Sequence, residues 1–199
     1  GRWVRTGPEV MPGAEDTFVA YGAGWANTSN TPFRGYKHDP YEGGIGTPFI
    51  VHWPNGIPRE RNGRIVHDPS HLIDLMPTFI GAAGATYPVE HAGETIQPME
   101  GISLLPALSG EALERTAPLC FEHHGNLGLR DGRWKIVSMY RRDQPRKWEL
   151  YDMRSDRTEQ TDLAGKMPDK LDVMVKQWER WADRVGVQPW PIPRYVEKQ

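Results

Sequence analysis

Between Pro168 and Gly186 apolar residues recur at Leu171, Met174, Trp178, Trp181 and Val185, in alternating steps of three and four. That is the period of one face of a helix, and the leading proline and closing glycine bracket it at 168–186. A helix so striped has to cover an apolar surface, and the residues just upstream supply one. "PLCFEHHGN" and "LGLRDGRWKIVSMY" read as short strands. Asp131-Gly132, lying between Leu129 and Trp134, is a hairpin signal because both residue types tolerate positive φ. A loop, "RRDQPRK", then leads into "WELYDM". Residues 111–199 are therefore expected to form a small antiparallel sheet of about four strands in sequence order, packed against the final helix.

Residues 1–110 read differently. "TPFIVHWP" is a short apolar run with β-branched and aromatic residues, bounded by prolines, and predicts a buried strand at 47–53. Ser70 stands at a cap position before a helix over 70–83, with Leu72, Ile73, Leu75, Met76, Phe79 and Ile80 on helical spacing and Gly84 as its stop. Pro77 inside that run predicts a kink. "HAGETIQPMEGISLLPALSGE" is a loop-rich connector. Residues 1 to about 46 are rich in Gly, Pro, Asn, Thr and Ser without amphipathic period, as in a functional loop or a part of something larger. The fold class is α/β overall, α+β within these residues.

The 199 residues are 38% hydrophobic and 25% charged with 8 tryptophans, a globular balance. A net charge of −2 with scattered Lys and Arg offers no general attraction to nucleic acid or to an anionic membrane. Cys120 is the single cysteine, so neither an internal disulfide nor a cysteine-based zinc site can form, and its apolar neighbours suit an inert thiol. No apolar run is long enough to cross a bilayer, and "GRWVRTGPEV" carries no signal peptide.

For chemistry, Lys37 lies in "NTPFRGYKHDPYEGGI", where a compact ammonium in a glycine-rich loop can grip sulfate or phosphate oxygens or can simply be solvated. His123 and His124 are adjacent, and in a strand neighbouring side chains point to opposite faces, so the pair is not expected to hold one metal. With Glu122 and Asn126 they form either a pocket rim or an exposed polar turn. "YDMRSDRTEQTD" lacks calcium-loop spacing and reads as a turn before the last helix. His52 and His71 fall within predicted elements and read as structural. No phosphate loop, dinucleotide fingerprint or Ser-His-Asp order is present.

Five strings in order carry a resemblance: "YGAGWANTSNTPFRGYKHDPYEGGIGTPFIVHWP", "HLIDLMPT", "MEGISLLPALSG", "LRDGRWKIV" and "WELYDMRSDRTEQTDLA". Together they resemble the carboxy-terminal portion of type I sulfatases, the formylglycine-dependent arylsulfatases of the alkaline phosphatase superfamily. The resemblance implies hydrolysis of an aryl or carbohydrate sulfate ester by a formylglycine nucleophile beside a bound calcium ion. Lys37 matches the family lysine that contacts sulfate, a catalytic electrostatic clamp. His123 and Asn126 fall in the "EH-x-GN" string that faces the substrate mouth, and His124 occupies a variable place there that shapes specificity.

Departures from the family pattern are equally specific. Neither Cys120 nor any serine is followed by x-Pro-x-Arg, and the metal aspartates and "DNG" motif are missing from these 199 residues. Tyr41 stands where many relatives have His, and Arg157 where many have Pro. The expectation is a portion of a sulfuric ester hydrolase that is inactive alone, with no metal ligands of its own. The rivals are a non-catalytic module binding sulfated glycans or a partner chain, and a portion of a phosphate or phosphonate ester hydrolase. An unpartnered 47–53 strand further predicts disorder or rearrangement before residue 46, or self-association through that edge. Export to the periplasm or beyond is implied by bacterial members of the family.

Overall fold

The computed structural model describes residues 3–11, 13–18, 20 and 22–192. Gly1, Tyr21 and residues 193–199, which bound stretches delimited above, lie outside the described residues. In chain order the elements are α1 (Gly22–Thr28), α2 (Glu42–Ile45), α3 (Leu75–Ala83), a two-stranded ribbon of β1 (Glu90–His91) and β2 (Glu94–Thr95), α4 (Leu105–Ser109), β3 (Leu119–His123), β4 (Asn126–Asp131), β5 (Trp134–Ser138), β6 (Glu149–Asp152) and α5 (Pro168–Val185).

Strands β3 to β6 form one antiparallel sheet in sequence order. Its central hairpin turns one residue later than expected. Asp131 pairs with Trp134, so the loop is Gly132-Arg133, and of those two only Gly132 has positive φ, at 54°. The β5 sequence, Trp134-Lys135-Ile136-Val137-Ser138, lacks a polar alternate face because both faces of the sheet are covered. On one face Leu127, Leu129, Ile136 and Leu150 meet Met174, Trp178 and Ala182 of α5. The helical stripe drifts by its last turn, so Ala182 is buried while Val185 is 44% exposed. The indole N–H of Trp178 donates to the carbonyl of Phe121 at 3.2 Å. On the opposite face Val137, Tyr151 and Met153 pack against Tyr41.

Residues 47–53 are the main departure from expectation. They form no strand and are exposed, Ile50 at 89%. An apolar run becomes a strand only where a neighbouring ladder accepts its N–H and C=O groups, and no described segment lies beside this one to do so. The helix expected at 70–83 begins later, as a short 3₁₀ turn at Leu72–Asp74 followed by α3. His71, rather than Ser70, caps it: its ring accepts the Ile73 N–H, and the Asp74 carboxylate accepts the His71 N–H. Pro77 thus falls in the first turn of α3, where a missing N–H forfeits no helical bond. Gly84 closes the helix with φ 60° as expected.

Asp74 organises the connector as well. Fully buried, it accepts from the Ile102 N–H at 2.9 Å and from Arg115 at 2.5 Å, while Thr78 bridges its carbonyl to the Leu104 N–H. Leu72, Met76 and Phe79 nevertheless remain 76%, 54% and 63% exposed, so the apolar face of this helix is uncovered. Within residues 22–46, "GAGWANT" forms α1, and the following turns fold back onto the sheet. Among the described residues no helix is long and apolar enough to cross a membrane.

Candidate functional site

The site is anchored on a buried lysine. Lys135 points from β5 to the face opposite α5 and is fully buried. Its ammonium lies 2.7 Å from Glu159 Oε1 and 3.0 Å from Glu42 Oε1, and both carboxylates are themselves buried. Arg157 and Arg130 flank Glu42 at 3.5 and 3.8 Å. Burial raises the carboxyl of Glu42, but Lys135, Arg130 and Arg157 outweigh it and hold the group below the ordinary range. For Glu159 burial prevails over Lys135, with repulsion from Glu42 adding to it, and its carboxyl is pushed up.

This cluster clamps the "YEGG" turn to the sheet. The Glu42 N–H donates to Glu159 Oε2 at 2.7 Å, and the Tyr41 and Tyr151 hydroxyls both donate to Glu149 Oε2, at 2.7 and 2.6 Å. Arg34 donates to the Glu159 carbonyl at 2.9 Å and lies over the Tyr41 ring. Burial, then the bonds to Glu149, push both phenols upward, so they remain donors. Gly43 and Gly44 are required by close backbone approach: a Cβ at either would strike carbonyls of Arg34 and Gly35, or of Tyr36 and Asp39. The clamp thereby fixes the 34–39 turn that carries Lys37, whose side chain is exposed.

At the other end of that turn sits the β3–β4 hairpin. Asn126 uses both ends of its amide there, donating from Nδ2 to the His38 carbonyl at 2.8 Å and accepting the Tyr140 N–H at 2.8 Å. It is therefore a staple between loop and sheet. His123 ends β3, and His124 leaves the strand with φ 51°. The alternation that would separate the two side chains ends at that point, so the expectation of opposite faces fails: their rings stack at 4.2 Å. His38, with φ 79°, places its ring 4.6 Å from that of His123, and the two meet through Nδ1 and Nε2 at 2.5 Å. Trp190 closes the stack on His124 at 4.7 Å.

The structure thus brings Lys37 to within one residue of a surface cluster of His38, His123 and His124. His38, Lys135, Glu42 and Glu159 are absent from the sequence-derived candidates. A lysine within an otherwise apolar strand was the available signal for Lys135. His38 carried none beyond its place next to Lys37. "YDMRSDRTEQTD" is the expected turn, with Asp156 accepting the N–H groups of Gln160 and Thr161, yet it also delivers Glu159. His52 is exposed in the 47–53 segment, and Cys120 is a half-buried thiol that burial pushes up to about 12. A depression of about 1760 Å³ lies between the 45–71 segment and the sheet and includes neither Lys37 nor the three histidines. Among the described residues the histidine trio is the one group of three or more His, Cys, Asp or Glu side chains close enough to share a metal. Three imidazole nitrogens do not fit calcium, which takes oxygen ligands.

Comparison with known proteins agrees with this architecture. Residues 36–183 match the family described as N-sulphoglucosamine sulphohydrolase, C-terminal. Arylsulfatase K of Xenopus laevis is 30% identical over 156 residues, covering 71% of this chain and 27% of that protein. A sulfatase of Formosa agariphila is 28% identical over 217 residues, covering 93% of this chain and 38% of the relative. The crystal structure of Ps i-CgsB superimposes with a TM-score of 0.57 at 27% identity, over 77% of this chain and 32% of that one. The chain spans about a third of the length of such relatives (27%, 38% and 32%).

Proposed function

Because the chain belongs to the N-sulphoglucosamine sulphohydrolase C-terminal family of sulfatases, we propose that it supplies one wall of a sulfate-ester site in a sulfuric ester hydrolase. Lys37 is the sulfate clamp of that wall, an exposed ammonium on a turn held rigid from below. A fixed cation placed where charge gathers on sulfate oxygens stabilises the transition state without reorganising. His123 and His124 form the substrate-facing rim, and Asn126 positions the clamp through the His38 carbonyl. The observation that carries the reading is this convergence of the "RGYKHDPYEGG" turn with the "EHHGN" hairpin.

The formylglycine nucleophile and the calcium implied by the family find no home among these residues. No Cys or Ser here is followed by x-Pro-x-Arg, and the described residues gather no oxygen-ligand set. The 199 residues alone are therefore a binding wall without turnover. Ps i-CgsB has been crystallised with k-i-k-neocarrahexaose, which favours a carbohydrate as the sulfated group.

The experiment is titration of the purified chain with a sulfated oligosaccharide, alongside an aryl sulfate turnover assay with added calcium. Saturable binding that weakens at least tenfold in Lys37→Ala, without turnover, is expected. Turnover by these residues alone, or binding indifferent to Lys37, overturns the reading. Equal binding of a phosphorylated analogue reassigns the site to phosphate esters.

A further inference from the structure

Three exposed imidazoles from two separate segments of the chain meet at one point. Any two of the ligand nitrogens offered by His38, His123 and His124 lie within 4.8 Å of each other. The closest pair, His38 Nδ1 and His123 Nε2, face each other at 2.5 Å. Two ring nitrogens so placed form a hydrogen bond when one of them carries a proton.

The backbone brings the three rings together. His123 pairs with Asn126, so His124 and Gly125 form a two-residue hairpin loop, whose turn requires positive φ at both, and His38 is likewise left-handed with φ 79°. Gly125 follows with φ 77°, and a Cβ there would press on the Trp190 ring. The ring of His124 is thereby held between His123 and Trp190, at 4.2 and 4.7 Å. Asn126 secures His38 from the backbone side.

We propose that His38, His123 and His124 form a binding site for a divalent transition-metal ion of the zinc, copper(II) or nickel(II) class. Neutral imidazoles are borderline-soft donors that suit these ions and not calcium or magnesium. At metal–nitrogen distances of about 2.0–2.1 Å, tetrahedral coordination separates the nitrogens by roughly 3.3 Å. The present spread, from 2.5 Å to at most 4.8 Å, brackets that value, and the site forms when the exposed rings turn out of their stack so that the three nitrogens converge. Three histidines leave a fourth position open to water or to an anionic group.

The metal site itself does not depend on the sulfate-ester reading, but it shares His123 and His124 with the proposed rim. An ion seated there adds positive charge to that rim, next to Lys37. The ion thus acts on sulfated-ligand affinity.

The test uses the full chain without a polyhistidine tag, titrated with copper(II) by electron paramagnetic resonance and with zinc by calorimetry. One ion per chain is expected, with a copper spectrum showing nitrogen ligation, and with affinity falling at least tenfold in His38→Ala and in His123→Ala. Zinc is also expected to raise the melting temperature of the wild type and not of His38→Ala. Lys37→Ala keeps the metal while losing the sulfated ligand, which separates failure of one proposal from failure of the other. Unchanged metal affinity in His38→Ala, or the absence of saturable binding in the wild type, overturns the proposal.

Discussion

Replacing Lys135 with methionine isolates the energetics of the clamp beneath Lys37. At 2.7 and 3.0 Å from two carboxylates, with side-chain exposures of 0%, 0% and 7%, the ammonium interacts with each by roughly 5–6 kcal/mol at an effective dielectric constant of about 20. Desolvating three charges offsets most of that gain, so the intact cluster contributes little net stability. Removing one partner is another matter. Arg130 and Arg157 still face Glu42, but no described cation other than Lys135 forms an ion pair with Glu159, whose carboxylate would be stranded. The expected loss is about 3–5 kcal/mol, out of a total of about 5–15 for a typical domain.

Urea unfolding followed by tryptophan fluorescence measures this loss directly. Adding Glu159→Gln to Lys135→Met removes the stranded charge but keeps an oxygen to accept the Glu42 N–H, and is expected to restore about 2 kcal/mol. The pH dependence has a fixed sign. Burial already raises Glu159, and losing Lys135 raises it further, so the folded single variant binds a proton more readily than its unfolded chain. Its deficit against the wild type therefore grows as pH rises above about 4.3, the ordinary glutamate value, and shrinks as pH falls toward it. A deficit under about 1 kcal/mol at pH 7, or one identical in the single and double variants, would refute the argument that Lys135 is the counter-charge on which the clamp depends.

Cys120, with its thiol pushed by burial to about 12, should carry on the order of 1 thiolate in 10⁴ at pH 8 and react with a disulfide reagent at least a hundredfold more slowly than free cysteine, with full reactivity in urea. Rapid labelling of the native protein would contradict its packing in β3 against the core. Asn126→Ala removes the bond to the His38 carbonyl and strands the Tyr140 N–H, so a cost of about 1–3 kcal/mol is expected, with amide exchange accelerating in residues 35–39. Acceleration confined to the hairpin would show that Asn126 does not hold the Lys37 turn.

Pattern alone determined much of this protein. The three-four stripe of α5, the glycine turn at Gly132 and the sequential hairpins of the four strands are local properties, written in turn chemistry and in periods of 3.6 and 2 that survive in isolation. Family strings likewise pointed to Lys37 and to the His123–Asn126 hairpin. Tertiary structure decided whatever depends on partners far away in the chain. "TPFIVHWP" has the composition of a strand, but strand formation needs a neighbour's hydrogen bonds, and no described segment provides them. Lys135 reads as a surface charge until Glu42, 93 residues before it, is folded over it. His38 and His123 are 85 residues apart, and nothing in either local sequence states that their rings meet. Even the adjacent His123 and His124 face the same way only because left-handed backbone at His124 ends the strand's alternation, a choice stabilised by Trp190 and the neighbouring glycine.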